Sequence, residues 1–123
     1  MAQIHPAHAK MRQICLSLPE TKETLTWGHP HFRVNDKIFC GFGVEDGKAG
    51  IGFKLLPEHA RDIIQSDPRC SKAPYVGNKG WVAMEFGRMK AADWARVEQL
   101  VRESYRLIAP KKLAAEIEGG DSK

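Results

Sequence analysis

The sequence predicts an α+β domain, an antiparallel β-sheet packed with an N-terminal helix, a short middle helix and a long C-terminal helix. Three observations carry this. Residues 38–55 alternate apolar and small side chains on both sides of Asp46-Gly47, a strong two-residue hairpin signal. Residues 91–108 place Trp94, Val97, Val101, Tyr105 and Ile108 on one helical stripe. The order of periods, helix, then several strands with a helix among them, then helix, is that of an α+β chain.

The first helix follows from Ile4, His8, Met11, Cys15 and Leu18 at helical spacing, and it ends near Leu18-Pro19. Pro19 to Lys22 is a connector, and Glu23 to Thr26 reads as a short strand. In the hairpin, the Asp46-Gly47 turn pairs Phe42 with Ile51, Cys40 with Phe53 and Ile38 with Leu55 on one face. The opposite face sets Gly43 against Gly50, Gly41 against Gly52 and Phe39 against Lys54. Upstream, Asn35-Asp36 offers a second turn joining the strand from His31 to Val34. A strict two-residue turn would place Arg33 beside Ile38 on the apolar face, so a longer loop or a bulge is expected.

Leu56-Pro57-Glu58 opens a helix through Ser66, with Pro57 suited to its first turn and Ala60, Ile63 and Ile64 facing inward. Asp67 to Gly80 reads as one long loop, and Trp81 to Phe86 as a strand with Val82, Met84 and Phe86 on one side. In the C-terminal helix Glu98 precedes Arg102 by one turn, the favourable ion-pair orientation. Pro110 ends that helix, Lys111-Lys112 turns the chain, and a short helix to Ile117 follows.

The 123 residues form one expected domain over 1–118, with 119–123 as a disordered tail. No apolar run approaches the ~20 residues of a membrane span. The first residues lack a charged segment followed by an apolar one, so a cytoplasmic protein is expected. Cys15, Cys40 and Cys70 are odd in number and widely spaced, which suits buried free thiols. A net charge of +4 fits a phosphate-bearing partner without requiring one.

Several segments together carry a family resemblance: Trp27-Gly28-His29-Pro30, Phe32-Arg33-Val34, Lys37-Ile38-Phe39, Phe53-Lys54 with Pro57-Glu58, Gly80-Trp81-Val82 and Ser104-Tyr105. In order and spacing they resemble the YjbR/MmcQ-like family from about Met11 to Ala109. The resemblance implies a small α+β domain with an antiparallel sheet and a double-wing, DNA-binding-like architecture. It carries no catalytic residues over to this chain.

Three constellations bear on function. If the apolar hairpin face is core, Phe39, Lys54 and Trp81 share the opposite face with four glycines. Bare backbone beside an aromatic and a cation suits base stacking and phosphate contact. With three or four helices to place, the favoured alternative is a helix covering that face, with Trp81 in the core. Second, Arg69, Lys72 and Lys79, followed by Arg88 and Lys90, form a cationic loop able to grip a DNA backbone, or else an ordinary solvated surface. Third, His29 and His31 share one side of an extended segment, and a tight turn would bring Cys40 opposite His31. That would be the start of a zinc site or a Cys-His nucleophile pair, although no further ligand is spaced to complete a tetrahedron. His29-Pro30 shaping a turn against Trp27 is the plainer account.

The expected function is non-sequence-specific DNA binding by a small non-enzymatic domain. Arg69, Lys72 and Lys79 would hold phosphates, backed by Arg33, Lys37 and Lys54, with Trp81 as a stacking platform. The alternative is a protein-interaction or small-ligand module whose glycine-lined face takes an acidic protein or a small anionic ligand. An enzymatic or metal reading would rest on His29, His31 and Cys40. No cofactor, metal or membrane partner is expected.

Overall fold

A computed structural model describes residues 5–26, 28–73 and 79–121, with the side chains of Glu45 and of 118–121 excepted. The expected contributions of Ile4 and Trp27, residues 74–78 of the 67–80 stretch and the end of the tail lie outside the described residues. Helix α1 spans Pro6–Cys15 and is followed by β1 (Thr21–Thr26), β2 (His29–Val34), β3 (Lys37–Glu45) and β4 (Lys48–Lys54). Then come α2 (Pro57–Ser66), β5 (Cys70–Lys72), β6 (Trp81–Glu85), α3 (Ala91–Ile108) and α4 (Lys111–Asp121).

Helix α1 starts where His5 caps it, its Nδ1 accepting from the Ala7 amide at 3.0 Å, and Pro6 presets the first turn. It ends at Cys15, whose carbonyl, like that of Leu18, accepts from the Thr21 hydroxyl at 3.0 Å. The six strands are all antiparallel, in the order β1-β2-β3-β4-β6-β5. The tight β2–β3 and β3–β4 turns use left-handed residues. Asn35 and Asp36 have φ of 52° and 63°, and Asp46 and Gly47 have 53° and 78°.

The central hairpin has the expected register, with Phe42 opposite Ile51, Cys40 opposite Phe53, Gly43 opposite Gly50 and Gly41 opposite Gly52. It departs from expectation at its far end. The turn at Asn35-Asp36 is tight, pairing Val34 with Lys37 and Arg33 with Ile38, and one extra residue then shifts Phe32 opposite Cys40. The expected bulge is therefore Phe39. An extra residue breaks the alternation, so Phe39 and Cys40 are both fully buried. Phe39 packs edge-on against Tyr105 of α3, at 5.4 Å between ring centroids. It is core rather than a member of the glycine face, and Ile38, expected in the core, instead shares the half-buried outer side with Arg33.

The core lies between the sheet and one layer of helices. Phe32, Val34, Cys40, Phe42, Ile51, Phe53, Val82 and Met84 meet Met11, Ile14 and Cys15 of α1 and Val97, Leu100, Val101 and Tyr105 of α3. His8 of α1 stacks on Phe42 at 5.0 Å. Helix α2 joins the same layer, since His59 Nδ1 lies 2.9 Å from Glu103 Oε1 on α3, and α4 packs on α3. The stretch expected as one loop contains β5, which pairs with β6 through Cys70–Met84, Ser71–Ala83 and Lys72–Val82. Three residues are too short to show a period, and pairing with β6 defines them as a strand.

Candidate functional site

Strand alternation sends every second side chain away from the helices. On that outer face lie Arg33 and His31 of β2, Gly41 and Gly43 of β3, Gly50, Gly52 and Lys54 of β4, and Trp81 and Ala83 of β6. Each is half-buried, whereas Phe32, Cys40, Phe42, Ile51, Phe53, Val82 and Met84, which alternate with them, are buried against the helices. The expected helical cover is absent from this face among the described residues. The reason is that α1, α2 and α3 all satisfy their apolar stripes on the other side. Trp81 is accordingly a half-exposed side chain at the start of β6 and not core.

The four hairpin glycines have different causes. A Cβ on Gly41 would meet the His31 ring at 3.0 Å, and one on Gly43 would lie 3.5 Å from His29 Nδ1, so both imidazoles rest over glycine backbone. At Gly50 a Cβ would stand 2.6 Å from the Met84 carbonyl oxygen, a clash with the neighbouring strand. Gly52 has space: its nearest neighbour would be the Val82 carbonyl oxygen at 3.9 Å. Bare backbone at Gly52, beside Ala83 in the next strand, thus forms an open floor.

Lys54 lies directly opposite Trp81 at one end of this floor. The Trp81 strand is locked there by Gly80, whose φ is 93° and whose carbonyl accepts from the Leu55 amide at 2.8 Å. Lys79, which is exposed, precedes Trp81 by two residues. Lys37 begins β3 at the same end of the sheet and is also exposed, but it pairs with buried Val34, so alternation points it toward the helix side. Strand pairing thus makes Lys54 and Trp81 neighbours on the outer face, with Lys79 at the entry to β6.

The other cations fall elsewhere. Arg69 forks onto Asp67, with Nε to Oδ1 and the terminal nitrogen to Oδ2 both at 3.1 Å, and reaches Asp93 of α3 at 3.3 Å. The Arg69 guanidinium holds the Asp67 carboxyl below the usual carboxylate range against the opposing effect of burial. Arg33 donates to Thr24 Oγ1 at 3.0 Å, Thr26 Oγ1 at 3.3 Å and the Asp36 carbonyl at 2.9 Å, which pins it flat across β1 and β2. Lys72 pairs with Val82, so alternation points it toward the helix side at the exposed sheet edge.

The His-Cys constellation is not assembled. His31 stands opposite Gly41 on the outer face, while Cys40 is buried beneath the sheet with Phe32 and Phe53. The one-residue offset decides this, since neighbouring residues of a strand face opposite ways. Burial pushes the Cys70 thiol up to about 11 and the Cys15 thiol well above its ordinary value, so both stay protonated near neutrality. Among the described residues, no three His, Cys, Asp or Glu side chains gather as a metal site. No described helix is long and apolar enough to cross a membrane.

Sequence reasoning missed the helix-side cluster in which Glu23 of β1 meets Arg12 Nε at 2.6 Å and His8 Nε2 at 2.8 Å. A signal was present in His8 and Arg12, one helical turn apart on the face toward a strand carrying a single acid. Nothing local pointed to Glu23 as their partner.

Among solved structures that share this fold are two bacterial proteins. A Deinococcus radiodurans protein carrying a DUF419 domain superposes with a TM-score of 0.68 at 21% identity, over 80% of this chain and 75% of that one. A Pseudomonas syringae protein superposes with a TM-score of 0.62 at 17% identity, over 85% of this chain and 99% of that one. At such identities the likeness is one of fold. Comparison with curated proteins gives no match. The YjbR family model matches residues 16–107, from the end of α1 through the whole sheet to the last turn of α3, and the chain belongs to the YjbR family.

Proposed function

We propose that the helix-free sheet face binds nucleic acid without reading its sequence, Lys54 and Lys79 meeting phosphates and Trp81 stacking on a base. One observation carries this reading: Lys54 stands opposite a half-exposed tryptophan at one end of a face whose floor is bare glycine backbone, with exposed Lys79 two residues before that tryptophan. Lysine is suited to sequence-blind phosphate contact because it acts as a point charge on a flexible stem. Arg69, Arg33, Lys72 and Lys37 take no leading part, the two arginines being committed to protein partners and the two lysines directed to the helix side.

Fluorescence anisotropy of a labelled mixed-sequence oligonucleotide, titrated with protein over a salt series, tests the proposal. Association should be weak at low ionic strength. Its logarithm should fall with the logarithm of salt at a slope of about −1.5 to −2, as expected for two neutralised phosphates. Charge reversal at Lys54 and Lys79 together should abolish measurable binding. Absence of association by the unaltered protein at low salt would overturn the proposal. So would capture of the same oligonucleotide by the double variant.

A further inference from the structure

Granting that the sheet face is the nucleic-acid surface, we infer that it takes single strands in preference to duplex, bases lying flat over Gly52 between two ring platforms. The first platform is Trp81, at the lysine-bearing end of the floor. The second is the His31 imidazole, resting over Gly41 with its Nδ1 on the His29 carbonyl oxygen at 3.0 Å. That hydrogen bond holds the ring in place beside the Gly41 backbone on the outer face of the sheet. From β2, which carries His31, to β6, which carries Trp81, there are three strand spacings, about 14 Å across the sheet. More than one base fits in that interval, and what lies beneath it is the backbone of Gly41 and Gly52.

A duplex presents none of its base faces. It is read by an element that enters a groove, most often a helix. Here the helices occupy the opposite layer and use their inward stripes for the core. A flat sheet would touch a duplex only through its phosphates, which leaves Trp81 and His31 without work. A single strand exposes both its phosphates and its base faces, and stacking on aromatic platforms tolerates any sequence. Gly52 supports the same conclusion independently, because neither a backbone clash nor a positive φ requires glycine there.

The test compares a labelled oligothymidylate with a duplex of equal length at one salt concentration. The expected result is affinity for the single strand about ten-fold above that for the duplex, with quenching of tryptophan emission that is absent in Trp81→Phe. Trp81→Ala should lower single-strand affinity about ten-fold and leave duplex affinity unchanged. Gly52→Val, which fills the floor without touching the helix layer, should do the same and serves if Trp81→Ala fails to fold. Duplex affinity equal to or above single-strand affinity would overturn this inference while leaving the nucleic-acid reading intact. Unchanged single-strand affinity in folded Gly52→Val and Trp81→Ala would also overturn it. Binding of neither probe would remove both.

Discussion

Ser104 of α3 stands in for a missing rung between Phe39 and Lys54. Its hydroxyl donates to the Phe39 carbonyl at 2.6 Å and accepts from the Lys54 amide at 2.9 Å. The bulge at Phe39 breaks the β3–β4 ladder there, because its side chain has turned into the core. Two backbone groups would otherwise be left facing a gap in a buried region. The serine is fully buried, so it joins the helix layer to the sheet at the strand end that carries Lys54.

Ser104→Ala should therefore destabilise the protein by about 1–3 kcal/mol, the cost of leaving buried donors and acceptors unpaired. Urea unfolding measures this. Ser71→Ala, a change at an exposed strand position, should stay within about 0.5 kcal/mol and acts as the control. Equal midpoints for the two variants would mean that the ladder closes without the hydroxyl.

Arg69 should prove structural. It closes Asp67, which is buried at the end of α2, and links β5 to Asp93 in the first turn of α3. Arg69→Ala should lower stability by about 1–3 kcal/mol by leaving the Asp67 carboxylate without its charged donors. Arg69→Lys should rescue only part, since an ammonium cannot fork onto a carboxylate. At temperatures where the variant is folded, its oligonucleotide affinity should match the unaltered protein. A large affinity loss in folded Arg69→Ala would return this residue to the binding surface.

Acid sensitivity should centre on two carboxylates. Burial raises the Glu23 carboxyl, yet hydrogen bonds from Arg12 and His8 outweigh it and hold the group below its ordinary value. Asp67 is likewise depressed, chiefly by Arg69. A carboxyl depressed in the folded state stabilises above its unfolded value near 4, and that contribution disappears as pH falls through the folded value. Stability should thus fall steeply below about pH 4. Glu23→Gln should be less stable than the unaltered protein at pH 7, with the difference shrinking toward pH 2. Thermal unfolding at several pH values checks this, and a constant difference would exclude the ionic cluster as its source.

How legible this was depended on the range of the deciding interaction. The β3–β4 register could be read because Asp46-Gly47 and two alternating runs act within one hairpin. The need for a bulge near Arg33 was also legible, from the cost of burying a guanidinium. Its placement at Phe39 was not, because Tyr105 and Ser104, which receive that residue, lie far along the chain. The uncovered sheet face was equally hidden. Amphipathic stripes specify that a helix packs, but not on which side of a sheet it does so. For Arg69 half the answer was local, in Asp67 two residues away, and half came through space from Asp93.

The glycines give the sharpest separation of alike-looking residues. Gly50 and Gly52 sit two residues apart on one strand, on one face, and read identically in the sequence. An alanine methyl at Gly50 meets the Met84 carbonyl oxygen, which belongs to a rigid neighbouring strand and has no room to retreat. Gly50→Ala should consequently cost about 1–3 kcal/mol, in the range of an overpacked core. Gly80→Ala should cost at least as much, because its φ of 93° is unfavourable for a side chain and the methyl would collide with the Leu55 carbonyl. Gly52→Ala meets nothing closer than 3.9 Å and should be neutral or slightly stabilising, since alanine loses less backbone entropy on folding. Chemical denaturation of the three variants checks the order. Comparable losses at Gly50 and Gly52 would show that glycine at position 52 answers a structural need, and the open floor would lose its meaning as a place for a ligand.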